Sequence, residues 1–357
     1  MTQEPTAAST IARVESRLGS LHEDALLNSQ RDRLGQIDAQ LAQLPQQVAR
    51  LRSRGYLYKA HLEQQIAQAA QRWPEVRRQA ALALEEQAVL LRAEINRADE
   101  ALRRLQPLKA RPLSTAQPTI QRVEDELSAA ERRIRAVQQA VEGVYSALAG
   151  EVQAIGREVQ ACERMLDWLA GATFTVDPGE GLVAATQAQQ VEGKERAEGI
   201  LFLTDQRLLF ERREKVARKK FLFITTASEV ERELTWQAAL GDLERVDASE
   251  ARKALVSKRE LLAVTPRSGA RARRADFELK TDSDAWRALV LRCQTGAIGA
   301  ERAGGAPQVP EYLVPAKCPS CGGALAQVGR IRGVAAIRCD YCGVSIPLER
   351  ALSARNE

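Results

Sequence analysis

Only two histidines, His22 and His61, occur among 357 residues, and aromatic side chains make up 4% of the chain. The scarcity of imidazole removes the commonest general base and metal ligand from most of the sequence. Neither histidine has a second imidazole or a spaced cysteine–carboxylate set beside it, so both are ordinary helix residues. Phosphate-cradling glycine loops, a nucleophile elbow and paired carboxylates in a recognisable context are also missing. No apolar run approaches the ~20 residues that a membrane-spanning helix needs. The start, Met1-Thr2-Gln3-Glu4, carries neither signal-peptide regions nor a myristoylation glycine. The expectation is a non-catalytic, cytoplasmic protein, with peripheral attachment to a membrane left open.

Phenylalanine is absent from the first 170 residues; all six lie between Phe174 and Phe277. The region 7–170 is instead rich in Ala, Gln, Leu, Arg and Glu, the profile of long helices with a narrow apolar seam. From Ile120 the apolar positions run Val123, Leu127, Ala130, Ile134, Val137, Val141, Val144, Leu148, Ile155, Val159, Cys162, Leu166 and Leu169, broken only at Glu151. Steps of three and four over about seven heptads predict a rod roughly 75 Å long. Further seams run through Leu84, Ala88, Leu91, Ile95, Ala98, Leu102 and Leu105, and through Leu34, Ile37, Leu41, Leu44, Val48 and Leu51. Pro45 and Pro74 are expected to start new helices, Gly55 to act as a hinge, and the prolines of 107–118 to delay the longest helix until after Pro118. Rods joined this way satisfy their seams by folding back as an antiparallel coiled coil, a spacer that is also expected to form a homo-oligomer.

Beyond Gly171 the period becomes strand-like. Residues 199–211, Gly-Ile-Leu-Phe-Leu-Thr-Asp-Gln-Arg-Leu-Leu-Phe-Glu, read as a β-hairpin turning at Asp205-Gln206. Other strands are expected at 182–191, 221–225, 243–247, 254–257, 260–265 and 276–280. An Asp282-Ser283-Asp284 cap then opens a helix carrying Trp286, Leu289, Val290 and Cys293. The hairpin resembles the second and third strands of pleckstrin-homology (PH)-like domains of the GRAM and bacterial PH type, where Gly-x-Leu-x-Leu-Thr-x-x-Arg-Leu-x-Phe recurs. Leu243 with Val246, and Phe277, Leu279 and Trp286, extend the resemblance over 172–295. It implies a PH-like β-barrel capped by a C-terminal helix, a fold that serves as a binding platform.

Two basic clusters are candidate anion or lipid sites on that platform. Arg212, Arg213, Lys215, Arg218, Lys219 and Lys220 are expected in the loop after the hairpin, and Arg267, Arg271, Arg273 and Arg274 in another loop before the last strand. Basic residues near an anionic membrane surface gain about 1 kcal/mol each. The competing reading is that they keep loops soluble and discourage edge pairing. The overall charge of +5 is mildly basic, short of the footprint of a dedicated nucleic-acid binder.

Residues 296–316, rich in Gly and Pro, read as a flexible linker. The region 317–349 beyond it holds Cys318-Pro-Ser-Cys321-Gly and Cys339-Asp-Tyr-Cys342-Gly, separated by seventeen residues that can form a hairpin through 324–328 and 334–338. Four soft ligands, Cys318, Cys321, Cys339 and Cys342, suit one structural Zn2+ ion and a reducing compartment. The run resembles a zinc ribbon; rubredoxin-like iron is the alternative, without the aromatic shell such sites carry. The chain as a whole is expected to be multidomain α+β, an adaptor or scaffold. Its partners would be an anionic membrane surface or proteins; the alternatives are a nucleic-acid-associated protein using ribbon and basic loops, and a purely protein-binding scaffold.

Overall fold

The computed structural model describes residues 7–217, 228–254, 257–303, 311–325, 329–332, 336–339 and 341–350. It is an α+β chain divided into two compact units, Met1–Arg50 with Leu62–Ala161, and Leu51–His61 with Cys162–Glu357. The first strand-like residues follow the helices, as the change of period implies.

Four helices carry the first half: α1 (Ala8–Ala25), α2 (Asn28–Ser53), α3 (His61–Arg103) and α4 (Leu113–Ala170). In the first unit α3 runs opposite to α4, since Glu94 pairs with Arg133 and Arg104 with Glu126. α1 runs with α4, its Ala7 amide donating to the Arg111 carbonyl and Arg17 binding Glu131 at 2.5 Å. Ile11, Val14, Leu18 and Leu21 of α1, Ile37, Leu41 and Leu44 of α2, and Leu84, Leu91 and Ile95 of α3 are buried.

The prolines do not act as expected. Pro45 and Pro74 lie inside α2 and α3, and α4 begins at Leu113, ahead of Pro118. A proline within a helix removes one amide donor but leaves the ladder on either side intact. Seams buried on both sides of each proline hold these helices together. The break that does occur separates α1 from α2 at Leu26 and Leu27, with buried Leu27 in the left-handed region at φ 55°. Gly55, at φ 85°, ends α2 rather than hinging a helix: its amide donates to the Arg52 carbonyl and that of Tyr56 to Leu51, the paired bonds of a Schellman cap.

The seam of α4 also differs in phase. Tyr145 and Val152 are buried, whereas Val144 is half-buried and Glu151 exposed. Two successive steps of four, Val137–Val141–Tyr145, shift the stripe by one residue, as a helix of 3.6 residues per turn does when it departs from a strict heptad. Glu151 interrupts nothing; it faces outward and pairs with Arg72.

The second unit holds a seven-stranded antiparallel sheet of order β4-β3-β2-β1-β7-β6-β5. Its strands are β1 (Leu182–Glu192), β2 (Glu195–Thr204), β3 (Arg207–Ala217), β4 (Ser228–Ala239), β5 (Leu243–Ala254), β6 (Ser257–Pro266) and β7 (Ala275–Leu279). β1 closes the two meanders by pairing with β7 from Ala188↔Leu279 to Val191↔Asp276. Phe210, Trp236 and Phe277 form the aromatic centre of the core, each neighbouring pair of rings 5.4 Å apart. α5 (Ser283–Gln294) starts where the sequence places it, Asp282 accepting from the Ala285 amide at 2.7 Å. Gln294 donates to the Leu240 and Leu243 carbonyls and ties the far end of α5 to β5.

β4 was not expected as a strand. Its residues 230–233 are exposed, and among its described side chains the buried ones begin at Trp236. Backbone pairing with β3 from Arg207↔Ala239 to Ala217↔Ser228 forms it, rather than an apolar face of its own. The expected strand at 221–225 lies outside the described residues. The one at 254–257 is the junction of β5 and β6, where Ala254 pairs with Ser257.

The expected linker is partly structured. Residues Ala297–Glu301 form a 3-10 turn, the Ala303 amide donates to the Leu57 carbonyl at 2.7 Å, and the Ala60 amide donates to that of Glu301 at 2.9 Å. After 304–310, which are not described, β8 (Glu311–Val314) already belongs to the cysteine module. It pairs with β9 (Gly329–Arg332) and β12 (Glu349–Arg350), while β10 (Ala336–Arg338) pairs with β11 (Ser345–Pro347). Most of the hairpin anticipated between 324–328 and 334–338 lies outside the described residues; of its second arm, 336–338 pairs with β11.

Candidate functional site

Each Cys-x-x-Cys-Gly segment folds into the same turn. The Gly322 amide donates to the Cys318 carbonyl at 2.9 Å and the Gly343 amide to that of Cys339 at 2.8 Å; both glycines sit at φ 71°. A side chain at that φ is strained, which explains a glycine after each pair. The turns aim four thiols at one point. Cys318 Sγ lies 3.8 Å from Cys342 Sγ, Cys321 Sγ lies 3.7 Å from Cys339 Sγ, and all four sulfurs fall within 4.8 Å of one another.

These separations are far too long for a disulfide, whose sulfurs sit about 2.0 Å apart. They match the edges of a tetrahedron with metal–sulfur arms of about 2.3 Å, which are about 3.8 Å. The four cysteines therefore could hold a metal ion. Backbone amides of Cys321 and Ser320 aimed at Cys318 lower its thiol pKa, while the crowded neighbouring thiols raise that of Cys321, the behaviour of four thiols sharing one small space. Cys318 and Cys339 are also core residues, packed with Val314, Leu325, Ile346 and Leu348. Tyr341, 73% exposed, packs over Gly323, where an added Cβ would meet its ring at 2.7 Å.

The basic residues do not form two equivalent loops. Arg212 and Arg213 lie in β3 and Lys215 is in the same strand, while Arg218, Lys219 and Lys220 lie outside the described residues. Arg212 binds Glu233 across the sheet at 2.7 Å. Arg213 is committed to the interior: it binds fully buried Glu211 at 2.6 Å and donates to the Trp168 carbonyl at 2.7 Å. The second cluster does lie in a connection, between β6 and β7. Arg267, Arg271, Arg273 and Arg274 are all exposed there, and the first three form no ion pair among the described residues. Arg274 has only Asp276, at 3.4 Å. Trp236 anchors the connection by donating from Nε1 to the Arg273 carbonyl at 2.9 Å.

A network of buried polar groups around the β2–β3 turn was not anticipated. Thr204 Oγ1 accepts from the Arg207 amide at 2.7 Å and the Gln206 amide at 3.2 Å, which holds a tight turn that lacks glycine. The same hydroxyl donates to Glu180, whose fully buried carboxylate binds Arg207 Nε at 2.9 Å and Nη2 at 2.6 Å. Asp205 accepts from the Gly181 amide, from the Tyr58 hydroxyl at 2.7 Å and from Arg302 at 3.3 Å. Burial and then this hydrogen bond push the Tyr58 hydroxyl far above its ordinary pKa, and burial pushes the nearby Cys293 thiol up to about 12. Thr204 and Arg207 belong to the Leu-Thr-x-x-Arg run of the hairpin, so the sequence did contain the signal for this network. Glu180, Tyr58 and Arg302 come from distant segments and carried none.

Burial alone would raise the Glu180 pKa, but Arg207, Thr204 and the Asp177 amide together hold it below the usual carboxylate range. The stability from this pair is therefore complete above the ordinary carboxylate pKa, about 4.3, and is lost as pH falls through the lowered native value. Glu180→Gln leaves Arg207 with only the longer pairing to Asp177 at 3.7 Å and its bond to the Thr175 carbonyl, and is expected to cost about 3 kcal/mol at pH 7. In denaturant titrations from pH 7 to 3 the gap between wild type and variant should narrow; a constant gap would mean that ionised Glu180 contributes nothing.

No protein-family model and no curated protein matches the chain. Among solved structures, the Vps36 N-terminal PH domain is similar over 35% of this chain and 86% of that one, at 18% identity and a TM-score of 0.22. The DH/PH domains of PDZ-RhoGEF, in complex with GTP-gamma-S-activated RhoA, cover 80% of this chain and 92% of that one at 12% identity and 0.25. The C-terminal domain of an unknown protein from Leishmania infantum covers 32% and 85% at 17% identity and 0.21. Likenesses at such scores carry no weight for function. Among the described residues no helix is long and apolar enough to cross a membrane.

Proposed function

We propose that this protein is a non-catalytic adaptor. A PH-like domain, the seven-stranded sheet with α5, would recruit it to an anionic membrane surface, and a zinc ribbon would present a second contact surface. The observation that carries the recruitment step is the β6–β7 connection, where Arg267, Arg271 and Arg273 are exposed and without ion pairs among the described residues. Cations held near a surface without internal partners retain their charge for an external anion, whereas Arg213 is already neutralised by Glu211. Two consecutive meanders followed by a helix against β5 support the PH-like reading of the domain.

Four sulfur ligands leave no open coordination position, so Zn2+ at Cys318, Cys321, Cys339 and Cys342 would be structural. Several other titratable groups among the described residues have structural work. His22 pairs with Asp99, and Glu180, Asp205 and Glu211 are each held by an arginine.

Flotation with neutral and anionic liposomes across a salt series tests recruitment. Wild type is expected to float only with anionic vesicles and less so at high salt. The variant Arg271→Glu/Arg273→Glu/Arg274→Glu should stay at the bottom of the gradient. No flotation at low salt would discard membrane recruitment in favour of a protein or nucleic-acid partner.

A further inference from the structure

The helical unit presents one face that its own core does not use. On α3, Leu84, Leu91, Ile95 and Ala98 are buried, yet Leu82, Val89 and Leu90 on other sides are 46%, 64% and 59% exposed. At 100° per residue, each step from Leu82 to Val89 to Asn96 drifts by only about 20°, so the three stay within about 40°, the spacing of a second heptad seam. Glu85 and Arg92 lie together along one flank of that stripe; Glu86 and Ala93 lie along the other. Glu85, Glu86 and Arg92 are exposed and form no ion pair among the described residues.

We infer that this face of α3 binds the same face of a second copy of the chain, in antiparallel orientation about a two-fold axis at Val89. An isologous contact requires a self-complementary surface, and here the charges meet that requirement. In antiparallel pairing like flanks meet, and positions equally far on either side of the axis come alongside one another. Glu85, four residues before Val89, then faces Arg92 of the partner subunit, three residues beyond it, and the two-fold axis repeats the pair. Val89 meets its own copy, and Leu82 packs beside Asn96 of the partner subunit. Parallel pairing would instead set Glu85 against Glu86 of the partner subunit, a repulsive contact. The charges thus select both the partner and its direction. This inference deepens the scaffold reading by assigning a partner to the helical unit, and it stands or falls without lipid or metal.

Sedimentation of the full chain over a concentration series tests the association. Wild type is expected to show a monomer–dimer equilibrium. Val89→Arg places two like charges on the axis of an already exposed site and should weaken it at least about tenfold, with the circular dichroism unchanged. Glu85→Arg should weaken the dimer, and Glu85→Arg/Arg92→Glu should restore it, because the swapped pair is again complementary. Under mild oxidation Val89→Cys should cross-link to its own copy. Leu82→Cys should not, since two copies lie fourteen residues apart along the pair, about 21 Å. A wild type that stays monomeric, a dimer indifferent to Val89→Arg, a double variant no better than the single one, or efficient Leu82→Cys cross-linking would each overturn the proposal. None of these outcomes depends on flotation, so failure here and failure of membrane recruitment are distinguishable.

Discussion

Gly199→Val is expected to unfold the seven-stranded sheet at temperatures where the wild type is stable. β2 and β3 pass so closely at this point that a Cβ on Gly199 would lie 2.7 Å from Phe210 Cζ and closer still to the Glu211 carbonyl oxygen. The obstacle is backbone, and that backbone cannot retreat. The Glu211 side chain accepts from the Thr173 amide and from Arg213, and β3 shifts register against β4 between Phe210 and Glu211. Phe210 is itself wedged between β2 and Phe277. Overpacking typically costs about 1–3 kcal/mol, and a clash against fixed backbone belongs at or above the top of that range. A loss of about 3 kcal/mol or more is a large part of the ~5–15 kcal/mol that holds an ordinary domain together. Even Gly199→Ala should lower the denaturation midpoint clearly. Gly241→Ala, which adds a Cβ with nothing within 4 Å, should leave it unchanged. Equal midpoints for the two alanine variants would show that β2 and β3 do not approach this closely.

Cys339→Ser should abolish metal binding and unfold the module from β8 to β12 while the sheet stays folded. Cys339 has two roles: its sulfur is one corner of the thiol cluster, and its side chain is 2% exposed among Val314, Leu325, Ile346 and Leu348. Among the described residues the module buries six, and a segment of about forty residues is too small to build a core that folds it alone. Metal binding, about 10–16 kcal/mol in zinc-finger peptides, would supply the difference. Elemental analysis of wild type is expected to give one zinc per chain. Chelation, like Cys339→Ser, should open residues 311–350 to proteolysis without shifting the melting of the sheet. A stoichiometric, chelator-resistant zinc in Cys339→Ser would disprove the four-cysteine assignment.

Much of this architecture was legible in the sequence because its signals are local and redundant. A heptad repeats its message every turn or two, so the burial of Ile37, Leu41, Leu84 and Leu91 followed from spacing alone. The turn at Asp205-Gln206 and the Asp282 cap depend on a handful of adjacent residues. Two Cys-x-x-Cys-Gly segments specify their own turns, and four thiols at ribbon spacing have few other uses; the structure brings those four sulfurs together as that spacing implies.

Other features were decided only in three dimensions. Proline looks like a boundary in isolation, but seams buried on both sides of Pro45 and Pro74 outweigh one missing hydrogen bond. The switch from Val144 to Tyr145 in the α4 seam needs the neighbouring helices as a reference, because the sequence offers an apolar residue at each position. β4 exists because β3 supplies a paired edge, which no property of its exposed residues 230–233 announces. The fate of a basic residue was equally hidden. Arg213 and Arg271 are indistinguishable as letters, yet Arg213 is held by buried Glu211 and the Trp168 carbonyl, whereas Arg271 is exposed and unpaired among the described residues. The sequence by itself determined the local geometry, where the interacting groups lie within a few residues of one another. Which charges are matched and which remain available depends on partners such as Thr173, Tyr58 and Arg302, brought in from distant parts of the chain, and that only the tertiary structure decided.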